Sequence, residues 1–194
     1  MKLRKRIAIA AAAWLLAWSG LGAAGELAPE VKARALKVIA LLEGLEKERA
    51  RHPGRPGGSG TVAEADLNAW IAYRFATEGE SYVRSCEIRL LDGDKAEGKL
   101  VIDLSRTPAS AVLPAQAEIF FAASAETRDG KIRITMERLF LGTQRLPPAF
   151  LDTVIGIVAG LEGQPAQSLH DWYPLPYGIQ RLESRAGRLV CYYY

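Results

Sequence analysis

Lys131–Leu161 reads KIRITMERLFLGTQRLPPAFLDTVIGIVAGL, a strand pattern that passes through a Gly-Thr turn and a double proline into an apolar helix pattern. Ile132, Ile134, Met136, Arg138 and Phe140 fall on one face of the strand, and Lys131, Arg133, Thr135 and Glu137 on the other. A period of two marks a sheet with one buried side. The alternation blurs near its end, where Leu139 and Leu141 make both faces apolar. Pro148 suits a first helical turn, where its missing N–H is not needed. Beyond it Phe150, Val154, Ile157, Val158 and Leu161 form one stripe, widened by Leu151 and Ile155; Asp152 and Thr153 are the plainly polar positions. A helix apolar on most sides must be covered by protein, lipid or a partner. That demand is the chain's best functional clue.

Strand patterns flank this stretch. Asp129-Gly130 is a hairpin turn, because both residues tolerate φ > 0, so Ala117–Glu126 should be the antiparallel neighbour. Phe121, Ala123 and Ala125 share one face there, and Phe120 lies on the other. Earlier, Tyr82, Cys86, Ile88 and Leu90 alternate with Val83, Ser85, Glu87 and Arg89, with Arg84 placed on the apolar face. Asp92-Gly93-Asp94 turns the chain into the alternating run Leu100, Ile102 and Leu104. After an irregular connection at Gln164–Tyr177, the segments Gly178–Ser184 and Arg188–Tyr194 form a last hairpin around Ala186-Gly187. The fold class is α+β: a meander of about six antiparallel strands packed with helices.

Two helices precede the strands. Val31, Ala35, Val38, Leu42 and Leu45 recur at helical spacing, with Ile39 and Leu41 alongside, and predict an amphipathic N-terminal helix over 25–51. His52–Gly60 holds two prolines and four glycines and reads as a linker. Thr61-Val62-Ala63-Glu64 has the form of a capping box, opening a helix with the stripe Leu67, Trp70, Ile71 and Phe75. The α+β domain is expected over 61–194.

The first 24 residues read as a targeting segment. Lys2, Arg4, Lys5 and Arg6 precede an apolar run, and Gly22-Ala23-Ala24 suits a small-x-small cleavage site. The layout favours a cleaved signal peptide, while an apolar length of about 18 residues also admits an uncleaved anchor in contact with the membrane. Export to the periplasm or cell envelope follows on either reading. The formal charge is +3, but all four charges of the segment are positive. Without it 21 basic side chains face 22 acidic ones, which argues against nucleic acid as a partner. Cys86 and Cys191 are the only cysteines, and an oxidising compartment leaves both a disulfide and two buried thiols open.

Reactive constellations are missing from the pattern. Ser168, His170 and Asp171 lie within four residues of one another, whereas a triad converges from separate elements on an oxyanion site. No Gly-x-Ser-x-Gly elbow, no His/Cys cluster at metal-ligand spacing and no strand–Gly-rich loop–helix phosphate site occurs. The expectation is a protein with no catalytic residues, no metal and no cofactor.

Glu64-Ala65-Asp66-Leu67-Asn68-Ala69-Trp70 resembles the acidic-x-x-Leu-Asn-Ala helix of uncharacterised secreted bacterial proteins of the YpmS-like type. Leu141-Gly142 followed by Leu146-Pro147 is similar to that family's step into a helix. Leu175-Pro176-Tyr177-Gly178-Ile179 with Gly187-Arg188-Leu189-Val190 resembles its closing hairpin. These proteins are in turn distantly similar to tubular (TULIP-type) envelope lipid-binding proteins. The resemblance implies a curved antiparallel sheet and a helix enclosing an apolar groove, and carries over no catalytic residue.

Two functions are therefore expected. The first is binding of lipid or another apolar ligand between sheet and helix, lined by Phe120, Phe121, Phe140, Phe150, Val154, Ile157 and Val158. The second is an envelope assembly module, with the stripe Val31–Leu45 and the apolar helix as protein interfaces and no small-molecule ligand. The helices at 27–51, 61–75 and 148–161 do not suit an outer-membrane barrel.

Overall fold

The computed structural model describes residues 27–51, 57–78, 83–103, 105, 114–153, 168 and 170–193. Helices α1 (Pro29–Arg51) and α2 (Glu64–Glu78) flank strand β1 (Gly58–Ala63). They are followed by β2 (Val83–Leu91), β3 (Lys95–Asp103), β4 (Gln116–Arg128), β5 (Lys131–Leu141) and β6 (Gln144–Leu146). Helical residues 149–153, β7 (Tyr173–Pro174), β8 (Ile179–Arg185) and β9 (Arg188–Tyr193) complete the described elements. The class is α+β. A curved antiparallel sheet runs β2-β3-β4-β5-β6, with β7 also on β5, and a separate three-stranded sheet runs β1-β9-β8.

The turns follow the local chemistry. Asp129 and Gly130 both take positive φ, so Arg128 pairs directly with Lys131 across a two-residue hairpin. Gly93 and Asp94 also take positive φ, in the three-residue turn across which Leu91 pairs with Lys95.

Strand β5 departs from simple alternation. Ala122 pairs with Arg138 and Ala123 with Met136, so Glu137 is an extra residue on β5 and forms a bulge. The bulge switches faces. Leu139, fully buried, and Leu141 join Ile132, Ile134 and Met136 on the inner side, while Arg138 and Phe140 move to the outer side. The blurred end of the pattern is thus one continuous inner face carried past an inserted residue. Arg84 has the same explanation: the register shifts between Val83 and Ser85, and the Arg84 guanidinium turns to the Asp103 carboxylate.

Long-range pairing overrides two local readings. Thr61 caps no helix; it sits in β1 opposite Val190, and α2 starts at Glu64, whose N–H donates to the Gly187 carbonyl. Gly58 and Gly60, expected in a linker, lie in the same strand, opposite Tyr193 and Cys191. A Cβ on Gly58 would stand 2.3 Å from the Tyr193 hydroxyl oxygen, and one on Gly60 3.3 Å from Leu41, so these glycines admit close neighbours. The last hairpin consequently leaves the meander and pairs with β1 instead.

The core lies between the inner face of the large sheet, the small sheet and the helices. Leu67, Trp70, Ile71 and Phe75 of α2 are all buried there, beside Leu90, Leu100, Ile119 and Leu139. Ala35, Val38, Leu42 and Leu45 of α1 belong to the same cluster, so this stripe is covered by the domain itself rather than left as an open interface.

Candidate functional site

Three regions could carry function: the inner face of β4–β5–β6, a polar cleft beside β8, and the Ser168–His170 corner.

On the inner face, Phe121, Met136, Leu141, Leu146 and Phe150 pack against the core cluster yet stay half-buried. Leu151, one residue on, is buried, which seats helical residues 149–153 on this side of the sheet. Phe121 owes its position to Gly98 on β3. The two residues pair, and a Cβ on Gly98 would come within 2.4 Å of the Phe121 ring and 2.5 Å of the Glu87 carbonyl oxygen. The glycine lets the ring lie flat across the strand.

The aromatic residues expected to line one groove do not all meet. Phe121 and Phe150 face the core. Phe120 and Phe140 pair with each other on the outer side, a consequence of the Glu137 bulge. Phe120 is 39% exposed there, with the Lys99 ammonium 5.6 Å from its ring centre. Outer-face neighbours are charged: Lys99 pairs with Glu118 at 2.7 Å and Arg138 with Glu97 at 3.0 Å. Phe120 and Phe140 therefore cannot line a groove between this sheet and the helix. Val154, Ile157 and Val158 lie outside the described residues.

An open cleft of about 600 Å³ lies where the β2–β3 turn and the end of β4 meet β8. Its walls are polar. Arg181, Glu183 and Arg185 alternate along one face of β8, and Glu183 accepts from both arginines at 2.7 Å and from the Tyr192 hydroxyl at 2.9 Å. Hydrogen bonds from Arg185, then Tyr192 and Arg181, hold the Glu183 carboxyl down at about 2. Asp94 accepts from the buried Ser184 N–H at 2.8 Å and Asp92 from the Ala186 N–H at 3.0 Å. The Ser184 hydroxyl bridges the carbonyls of Leu91 and Lys95. These bonds weld the two sheets together, and Asp92, Asp94, Glu183 and Ser184 are each already engaged within the fold. Sequence reasoning passed over this joint; the Arg-x-Glu-x-Arg period along β8 was the available signal.

At the third region, the Ser168 hydroxyl donates to Asp152 at 3.3 Å, and His170 Nε2 lies 3.9 Å from the other oxygen of Asp152. The His170 backbone N–H, not its ring, donates to Ser168 Oγ at 3.2 Å. The hydroxyl proton thus points at a carboxylate and not at an imidazole, the reverse of what activating a serine requires. Asp171 accepts from the Ser168 N–H. The cluster fastens helical residues 149–153 to the chain before β7.

Cys86 and Cys191 are free, buried thiols rather than a bridge, and burial pushes both up to about 12. Among the described residues no three His, Cys, Asp or Glu side chains gather at metal-binding distance. No helix among them is long and apolar enough to cross a membrane. Comparison with protein-family models, curated proteins and solved structures gives no match for this chain.

Proposed function

We propose that the protein is a non-enzymatic component of the cell envelope that holds a lipid or similar apolar ligand against the inner face of β4–β5–β6, beside the helix that follows Pro148. One observation carries the reading. Phe121, Met136, Leu141, Leu146 and Phe150 share that side, touch the core, and are left half-buried. Apolar walls with few polar groups are the usual lining of a ligand site. The expectation of export from the first 24 residues supports the reading, because an envelope protein meets membrane lipid. The test is lipid extraction and native mass spectrometry of the protein purified from membranes. A bound acyl-chain species, diminished by Met136→Glu, is the expected result; protein that is always empty opposes the reading.

A second reading, an assembly module without a ligand, draws support from Phe120, whose exposed ring stands beside Phe140 on the outer face. Photo-crosslinking from position 120 in cells separates the two. A single protein adduct that depends on Phe120 favours assembly.

A further inference from the structure

Helix α1 buries Ala35, Val38, Leu42 and Leu45 in the core, so its opposite side looks away from the domain. Over the first three turns that side presents Lys32, Ala33, Leu36, Lys37 and Ala40, all exposed. Leu36 is 46% exposed, one of two large apolar side chains so placed among the described residues. The charge around it is one-sided. Between Val31 and Leu42 the helix holds Lys32, Arg34 and Lys37 and no acid. Glu30 is the acid of the first turn, and Asp66 of α2 faces Arg34 at 3.5 Å, leaving Lys32 and Lys37 on either side of Leu36. The second half of the helix differs, since Glu43 and Glu48 there pair with Lys47 and Arg51.

The position of this face in the chain matters as much as its chemistry. Only Gly25–Ala28 separate the apolar run ending at Ala24 from Pro29. Even fully extended, that tether reaches no more than roughly 18 Å. On the anchor reading of the first 24 residues, in which the run stays attached and embedded, the start of α1 is held at the bilayer surface; the chemistry of the face itself does not depend on that reading.

We propose that the first three turns of α1 are a docking face for an anionic phospholipid surface. Leu36 enters the boundary between headgroups and acyl chains, and Lys32 and Lys37 meet lipid phosphates. Interfacial helices set apolar side chains among the acyl chains and cations at the headgroups, and Leu36 between Lys32 and Lys37 offers that arrangement on a small scale. Each such cation is worth about fivefold in attraction to an anionic leaflet, a gain that salt screens. The domain would then sit on the membrane along α1 rather than hang from it.

The experiment uses the full chain carrying Leu36→Cys. The new thiol takes an environment-sensitive maleimide dye selectively, because Cys86 and Cys191 are buried. The labelled chain is reconstituted into vesicles of phosphatidylcholine alone, or of an equal mixture with phosphatidylglycerol. The expected result is blue-shifted emission, quenched by lipid-borne nitroxide, in the anionic vesicles at low salt, and its reversal at high salt. Lys32→Gln with Lys37→Gln lowers the docked-to-free ratio roughly 25-fold. The same dye at Glu118→Cys, exposed on the outer face of the large sheet across the core from α1, stays in water in both vesicles. Equal water exposure of the dye at position 36 in both vesicle types overturns the proposal. So does undiminished docking of the double variant, provided its circular dichroism matches the parent.

Discussion

Asn68 grips Ile88 by both ends of one residue's backbone. The Asn68 Nδ2 donates to the Ile88 carbonyl at 2.7 Å, and the Ile88 N–H donates to Asn68 Oδ1 at 2.8 Å. One turn earlier on α2, the Glu64 carboxylate accepts the Leu90 N–H at 2.6 Å, and the Gly187 N–H donates to the Leu90 carbonyl. Strand β2 is the edge of the large sheet, and an unpaired edge is a template for aggregation. Two helix residues at i and i+4, plus one hairpin turn, take the place of a neighbouring strand. The Glu-x-x-x-Asn spacing at the start of α2 thus has a structural role that needs no ligand.

Replacing Asn68 by Ala removes both bonds and leaves the Ile88 N–H and carbonyl facing a gap. A loss of about 2–4 kcal/mol in unfolding free energy is expected, checked by urea titration, with faster amide exchange at Ile88. Asn68→Asp keeps the acceptor but sets a carboxylate against a carbonyl oxygen. It should do no better than Ala.

Gly98→Ala should destabilise by about 1–3 kcal/mol, because the new methyl meets both a ring and a backbone oxygen. Adding Phe121→Leu relieves the ring contact alone, so urea titration of the double variant should recover only part of the loss.

Glu183 gives the stability curve an acid limb. Its carboxyl is depressed from the ordinary 4.5 to about 2 in the folded protein, first by Arg185 and then by Tyr192 and Arg181. A depressed carboxylate stabilises the fold above its unfolded value, and that contribution fades as pH falls through the folded one. Asp103, held low by Ser105 and Arg84, acts in the same direction. The urea midpoint should therefore decline between pH 4.5 and 2, and Glu183→Gln should flatten that decline.

Burial raises both thiols to about 12, so neither forms appreciable thiolate near neutrality. Ellman's reagent at pH 8 should find no reactive thiol in the native chain and two after denaturation. Mobility on non-reducing gels should match that on reducing gels.

What was legible in the sequence was what depends on neighbours in the chain. Alternation at Ile132, Ile134 and Met136, the helical spacing of Leu67, Trp70, Ile71 and Phe75, and the Asp129-Gly130 turn all report local geometry. Hidden were the features set by partners far away. Thr61-Val62-Ala63-Glu64 suits a capping box and a strand end equally, and Val190 decides between them. One inserted residue, Glu137, moves Phe140 from the inner face to the outer and divides the expected aromatic lining. Nothing local marks that bulge, because Arg138 and Leu139 are each tolerable on either side. The glycines at 58 and 60 read as flexible but serve as seats for Tyr193 and Leu41.

Whether the inner face of β4–β5–β6 holds an apolar ligand is answered by native mass spectrometry of the protein purified from membranes. The expected result is a stoichiometric lipid-sized adduct that Met136→Glu strips away while circular dichroism stays unchanged. Protein of bare polypeptide mass under the gentlest release, in both parent and variant, would contradict it.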